Sequence, residues 1–526
     1  MKTKLLSVFL VLAMLFSMAA CGSTGNAPAG NETKGEEKGG KDTLVVGIDG
    51  DPGSVNPYDA LSGSGRKLYT PVYEALFAFD ETGLAQPKLC ESYTFDEDGK
   101  GITMKVHEGV KFHNGEEMTS EDVVYSINLL LNSAHSGNLG DVNAEGVKAV
   151  DKYTVYVPYN SVAGAVLNCM TSVYVLNKKH MEEVGDKASL DCIGTGKFKW
   201  GKITSGMEYQ MDRFDDYWGG PADLKQITIR IINDASVAIM ELQTGGIDMY
   251  SLPNAADVNK VKKGESGYEN LSTFQASAIS TFCLYFNCGE ESVFHDANVR
   301  KAVCYALNAQ EFVDMVYEGN GSVAKYIVGK AAPCYKEYTD DEMIKYNEAK
   351  AKECLAAAGY ADGLEVDLHI NSSHTKSAEI LLNQLSKVGI NVNVKTLEKA
   401  ALTDLQKKTN EVKMTFTTWN CSGEPTTLLN TVYNPALSQL GKTTYMLRTY
   451  DEPDAPLYAE LLEKANTELD NPARMKAYQD LFDLIYNNNW IFPIVSPEVN
   501  WIVNKNLKGF WTGATSYHYE DIYFAQ

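Results

Sequence analysis

From Asp42 onward the chain alternates short strand signals with amphipathic helices, and no other feature limits its fold so tightly. The run TLVVGID is a brief apolar strand closed by turn residues, and GITMKVHEGVKF alternates apolar and polar residues up to a turn at Glu108-Gly109. HNGEEMTSEDVVYSINLLL then opens a helix: Thr119 followed by Asp122 forms a capping-box pattern, and Val123, Ile127, Leu130 and Leu131 share one face. VKAVDKYTVYVPY predicts two strands about Asp151-Lys152, EYQMDRF and QITIRIIN predict two more, and DASVAIMELQTGG predicts a helix stopped by glycine. Farther along, STFCLYFN reads as a strand before the helices NVRKAVCYALN and AQEFVDMVYEG, the second with Asn308 as N-cap. NEAKAKECLAAAGY leads into the strand LEVDLHI, and SAEILLNQLSKVG into INVNVKTL. Strand–helix–strand units in this order predict α/β architecture.

The 526 residues make room for two to four domains at about 100–200 residues each. Hydrophobic residues at 44% and charged residues at 22% exclude a wholly disordered chain and a polytopic membrane protein. The net charge of −22 repels nucleic acid, which is not expected as a partner, and anionic lipid headgroups, while leaving room for a local basic pocket. Thirty tyrosines suit ligand contact and sheet packing alike.

The first residues read as an export signal. Lys2 and Lys4 precede an apolar or small-residue run from Leu5 to Ala20. That run is shorter than the roughly 20 residues a membrane span needs, and it fits a signal peptide over residues 1–20. Its end, Met18-Ala19-Ala20-Cys21, resembles the lipobox of bacterial lipoproteins, with Met in place of the usual Leu. The resemblance implies a lipid on Cys21 and an anchor in the membrane. Gly22 to Lys41 has no aromatic or large aliphatic residue, so residues 21–41 are expected to be a flexible tether reaching on the order of 25 Å. Ten cysteines become nine once Cys21 is lipidated, an odd number without paired spacing. Mostly free thiols are expected, with Cys304 and Cys354 as small core residues on helices.

Catalytic motifs are missing. Neither G-x-S-x-G nor H-E-x-x-H occurs. LGKTT at Leu440–Thr444 has Ala436 where a phosphate loop needs glycine, and GNGSVA at Gly319–Ala324 follows a helix rather than a strand, which suits a helix-ending turn. The eight histidines are scattered, and no C-x-x-C exists, so no metal site or cofactor is expected. Glu116-Glu117 and Asp340-Asp341 read as solvated surface. The chain is therefore expected to bind a ligand without making or breaking bonds.

One long segment, AQPKLCESYTFDEDGKGITMKVHEGVKFHNGEEMTSEDVVYSI, resembles the signature of bacterial extracellular solute-binding proteins of the oligopeptide/dipeptide/nickel class, with Tyr93 at the usual Trp. Further elements follow in family order: IGTGKFKW, FDDYWGGPADLKQITIRIIND, LQTGGIDM, LYFNCGEESVFHDANVRKAVCYALN and LAAAGYADG. Together they cover about Ala85 to Gly363 and are mainly scaffold; Phe112 and His113 are expected at a strand end without a ligand role.

The resemblance implies a two-lobed flytrap of the periplasmic-binding-protein type (type II, cluster C) with an extra small domain. The expected boundaries are 42–84, 188–286 and 500–526 for lobe I, 85–187 for the extra domain and 287–499 for lobe II. A ligand would sit between the lobes, and the closed form would dock as a monomer on the permease of an ABC importer. The protein would stand at the cell surface, on the outer face of the cytoplasmic membrane, or in the periplasm where an outer membrane exists.

The resemblance also bears on the ligand. Peptide-binding relatives carry a Trp segment followed by an Asp that pairs with the peptide's α-amine; here the segment is Thr417 to Pro425, and the Asp position falls on Cys421 or Ser422. Trp419, Thr418, Asn420, Ser422 and Glu424 are the expected ligand contacts; the amine partner is either absent or replaced by Glu424. Trp419 heads this set because KMTFTTW reads as a strand ending abruptly in turn residues, and strand ends in α/β lobes are where ligands sit. The spacing before Pro425 and the C-terminal GATSYHYEDI, which contributes Thr515, are closer to nickel-binding relatives. Those relatives use an Arg and a His where this chain has Ser172 or Val173 and Leu437. An oligopeptide is the first expectation. A metal chelate, or a surface receptor that senses or chaperones without transport, is the alternative, and a secreted hydrolase comes after both.

Overall fold

The computed structural model describes residues 40–60, 63–162, 164–418, 424–426, 428–438, 447–512 and 516–526. Its backbone is a 12-stranded sheet. In chain order the strands are β1 (Thr43–Ile48), β2 (Phe198–Thr204), β3 (Glu208–Arg213), β4 (Gln226–Ile231), β5 (Met249–Ser251) and β6 (Leu271–Ser277). They continue as β7 (Phe282–Phe286), β8 (Gly321–Val323), β9 (Leu364–Asn371), β10 (Ile390–Leu397), β11 (Met414–Thr418) and β12 (Ile491–Asn504). The spatial order is β10-β9-β11-β7-β12-β5-β1-β4-β3-β2, with β6 and β8 also paired to β12. β1 runs parallel to β4 and β5, and β9 parallel to β10 and β11, as strand–helix–strand units require.

Burial follows the sequence pattern. Leu44, Val46 and Ile48 of β1 are fully buried. In β9, Leu364, Val366, Leu368 and Ile370 point inward, while Glu365 and Asp367 face out. Helices cap as read: Asn308 accepts from the Gln310 amide, and Gly245 ends the helix Ala235–Thr244 in the left-handed conformation.

The apolar core divides into two main clusters. The first gathers residues from Leu44 to Met249 and Trp501 to Phe524; the second runs from Cys283 to Val495. A smaller cluster about Ile232, Leu242, Tyr250 and Ile502 flanks the first. The four-stranded antiparallel sheet Cys90–Phe95, Gly101–Val106, Thr154–Pro158 and Lys148–Ala149 is covered by the helix Ser120–Leu131. Its Ile102, Met104 and Val123 belong to the first cluster, so this sheet shares a core with β1. The capping box of that helix is present, with the Thr119 amide donating to Asp122 at 2.9 Å.

Among the described residues, two stretches of chain pass between the two main cores. One lies between β6 and β7. The other is the middle of β12, whose Ile491–Ser496 and Trp501–Val503 are buried in opposite cores while residues 497–500 between them are half-exposed. A single 14-residue strand thus spans both bodies.

Candidate functional site

The parallel strands β1 and β5 finish side by side, so Asp49 and Ser251 stand at their carboxyl ends, where open α/β sheets bind ligands. These two residues, with Gly63, Ser64, Lys67, Leu252, Val499, Trp501 and Tyr517, line a hollow of about 320 Å³ beside the crossing of β12. Lys67 comes from the helix Gly63–Tyr69 and is buried. Its ammonium donates to Asp49 Oδ1 at 3.0 Å and to Ser251 Oγ at 3.0 Å, and it sits 5.7 Å from the centre of the Trp501 ring. Leu252 adopts a positive φ of 60°, which a side chain with a Cβ rarely tolerates, and it is left 54% exposed at the rim.

The second body contributes the end of β11. Phe416 stacks on Phe282 at an interplanar angle of 16°, and His374 meets both rings edge-on. Burial pulls the His374 imidazole below its usual pKa, so it is a neutral, largely apolar neighbour. Thr418 ends the strand, and its hydroxyl is buried without a hydrogen-bond partner among the described residues. Trp419, Asn420 and Ser422, together with Thr515 and Cys21, lie outside the described residues.

Glu424 differs from expectation. It is buried, and its carboxylate is already engaged: Arg474 Nε donates to both oxygens at 3.1 Å and Tyr478 OH to Oε2 at 2.9 Å. Arg474 is itself buried and also donates to Glu468 O at 3.0 Å. Burial alone would lower the Arg474 pKa, but the Glu424 carboxylate outweighs it and holds the guanidinium above its ordinary value. Glu424 therefore anchors the chain where it emerges from residues 419–423, rather than standing free for a ligand. Arg474 sits at the head of the helix Asn471–Asn487, about 50 residues away in sequence, and nothing local in NPAR signals a partner at that distance.

The signature elements work as scaffold. His113 Nε2 lies 3.0 Å from Gly196 O and the Gly194 amide approaches Nδ1 at 3.4 Å, which ties the HNG turn to the TGK element. Burial pushes the His113 imidazole down to about 4, so it is neutral and donates through Nε2. Glu74 is buried and accepts from Thr195 Oγ1, Tyr217 OH and Trp218 Nε1 at 2.6–3.0 Å. The pair Glu116-Glu117 is at the surface yet not idle: it accepts from Lys179, Asn177, Lys152 and Tyr153 and clips two neighbouring segments together.

A separate hollow of about 350 Å³ lies within the first body, with Glu74, Tyr174, Trp511 and His518 in its wall. Among the described residues, one group has three metal-ligating types close together, His518, Glu520 and Asp521. Both ring nitrogens of His518 are already taken, by Glu520 Oε1 at 2.8 Å and Ser516 Oγ at 2.9 Å. No disulfide joins the eight described cysteines to one another; Cys304 is fully buried and Cys354 half-buried. No described helix is long and apolar enough to cross a membrane.

Two compact cores, two crossings and a hollow at the ends of parallel strands define a two-lobed α/β solute-binding fold. The sequence pattern of the bacterial extracellular solute-binding proteins, family 5 (middle region), matches residues 85–438, and the chain belongs to that family. It is 26% identical to the oligopeptide-binding protein AppA of Bacillus subtilis (strain 168) over 96% of this chain and 95% of the relative. It is also 26% identical to heme-binding protein A of Haemophilus influenzae, over 96% of each. The solved structure of HbpA2 from Haemophilus parasuis superposes with a TM-score of 0.80 at 23% identity, covering 92% of this chain and all of that one. The protein is thus a solute-binding protein of the kind that serves ABC importers, and not an enzyme.

Proposed function

We propose that this chain is the lipid-anchored binding component of an ABC importer that captures an oligopeptide between its two lobes and delivers it to a membrane permease. Its likeness to an oligopeptide-binding protein across nearly the whole chain carries the peptide reading. The boundaries for this reading are those drawn from the sequence, with lobe I at 42–84, 188–286 and 500–526, the small domain at 85–187 and lobe II at 287–499. The two core clusters support a division into two lobes, although β7 packs in the second core and the 85–187 sheet shares the first. Hinge motion at the crossings would bring the Asp49–Trp501 hollow against the end of β11, and a ligand touching both would favour the closed state. Cys21 would carry the lipid, and residues 21–41 would hold the folded body off the membrane.

In this reading Trp419, Asn420, Ser422 and Thr515 contact the ligand beside Thr418, whose unpartnered hydroxyl supports a polar contact there. Replacement of Trp419 by Ala tests the assignment. If the indole is a ligand wall, affinity falls by about 2 kcal/mol with little change in the stability of the free protein. If it is core, stability falls by about 3–5 kcal/mol and the affinity of the folded fraction is unchanged. A metal chelate is the second reading, favoured by the equal likeness to a heme-binding protein.

A further inference from the structure

We propose that Asp49 is the group that holds a primary ammonium of the ligand, in the first instance the α-amine of a peptide. This rests on the peptide reading above and adds to it which lobe recognises the charged end.

Glu424, the carboxylate that the sequence put forward for this task, is committed to Arg474 and Tyr478 and has no free face to offer. On the first body, Asp49 is the single carboxylate among the residues lining the strand-end hollow. Its two side-chain contacts both fall on one oxygen: Lys67 Nζ and Ser251 Oγ approach Oδ1, and among the described residues no hydrogen bond reaches Oδ2. The side chain is 32% exposed, so water serves Oδ2 while the hollow is open. Closure would expel that water, and a carboxylate oxygen buried without a donor is costly. A ligand ammonium supplies the donor and the charge together.

The neighbouring cation does not offer the opposite choice. Lys67 is spent on Asp49, on Ser251 and on the face of Trp501, so a ligand carboxylate would meet the open oxygen of Asp49 without gaining a donor. Trp501 and the exposed Leu252 provide apolar surface for the carbons next to an amine. Lys67 also holds Asp49 in place through Oδ1, which leaves Oδ2 without a partner among the described residues.

The test uses two probes, a random pentapeptide pool with free amino termini and the same pool N-acetylated, read by native mass spectrometry and calorimetry. Replacing Asp49 alone would strand the buried Lys67, so the informative variant is Asp49→Asn with Lys67→Met, its fold checked by thermal melting. The unmodified protein should prefer the free pool by about tenfold or more, the scale of one charge-assisted hydrogen bond. The double variant should bind both pools nearly equally. A preference that survives in the double variant, or equal binding of both pools by the unmodified protein, would overturn the role of Asp49 and leave the peptide reading standing. Failure of both pools to bind the unmodified protein would overturn the peptide reading, and this inference with it.

Discussion

Replacing Glu424 with Gln separates a structural anchor from a ligand group. The substitution keeps the shape of the side chain and removes its charge. Arg474, fully buried, would then keep its charge with Glu468 O and Asn471 as its remaining neighbours. Breaking one side of a buried ion pair costs about 3–5 kcal/mol, because the surviving charge is left without a counter-ion. Tyr478 adds a further hydrogen bond to the same carboxylate. Changing both residues, Glu424→Leu with Arg474→Met, removes the stranded charge, so the double variant should lose clearly less than the sum of the single losses. The assay is urea unfolding followed by tryptophan fluorescence, with peptide affinity measured on the folded fraction. A loss of several kcal/mol with affinity changed less than about twofold is the expected result for Glu424→Gln. A stability change below about 1 kcal/mol with a tenfold loss of affinity would refute the anchor and return Glu424 to the ligand.

Three further outcomes follow from the same reasoning. The mature protein should begin at Cys21 and carry a lipid; intact-mass analysis of membrane-extracted protein that found an unmodified chain starting elsewhere would refute this. No disulfide joins the eight described cysteines to one another, so a reducing agent should leave the melting temperature unchanged, and a drop of several degrees would reveal a bridge that matters. Burial holds the folded-state pKa of His113 at about 4, below the 6.5 of a free imidazole. The neutral ring's contribution is therefore complete above pH 6.5 and is lost as pH falls from 6.5 towards 4. His113→Gln should reduce the loss of stability across that window by about 3 kcal/mol, and an unchanged pH profile would contradict the assignment.

Much of the fold was legible because local and tertiary preferences agree. The alternation in LEVDLHI survives as β9, with its apolar residues in the core and its acids outward. Thr119 and Asp122 form the box their spacing suggests, and DASVAIMELQTGG stops at a left-handed glycine. The turn after the helix Ala309–Met315, where Glu318 and Gly319 take positive φ, accounts for GNGSVA without any phosphate loop. What the sequence hid depends on residues far apart in the chain. The Glu424–Arg474 pair joins positions about 50 residues apart, and Lys67 meets Ser251 across 184. The acid closing TLVVGID was visible as a turn residue, but its place at a shared strand end came only with the pairing of β1 and β5. Glu116-Glu117 reads as surface in any window of sequence, and its clip to Lys179 and Lys152 needs the folded neighbours.

The most direct test of the central claim is native mass spectrometry of freshly purified protein, since a closed two-lobed binder retains its ligand. A bound mass that fragments into amino-acid residues and leaves on mild denaturation is the expected result. A bound mass containing a metal or porphyrin, or a protein that stays empty after incubation with peptide mixtures, would contradict the peptide-capture account.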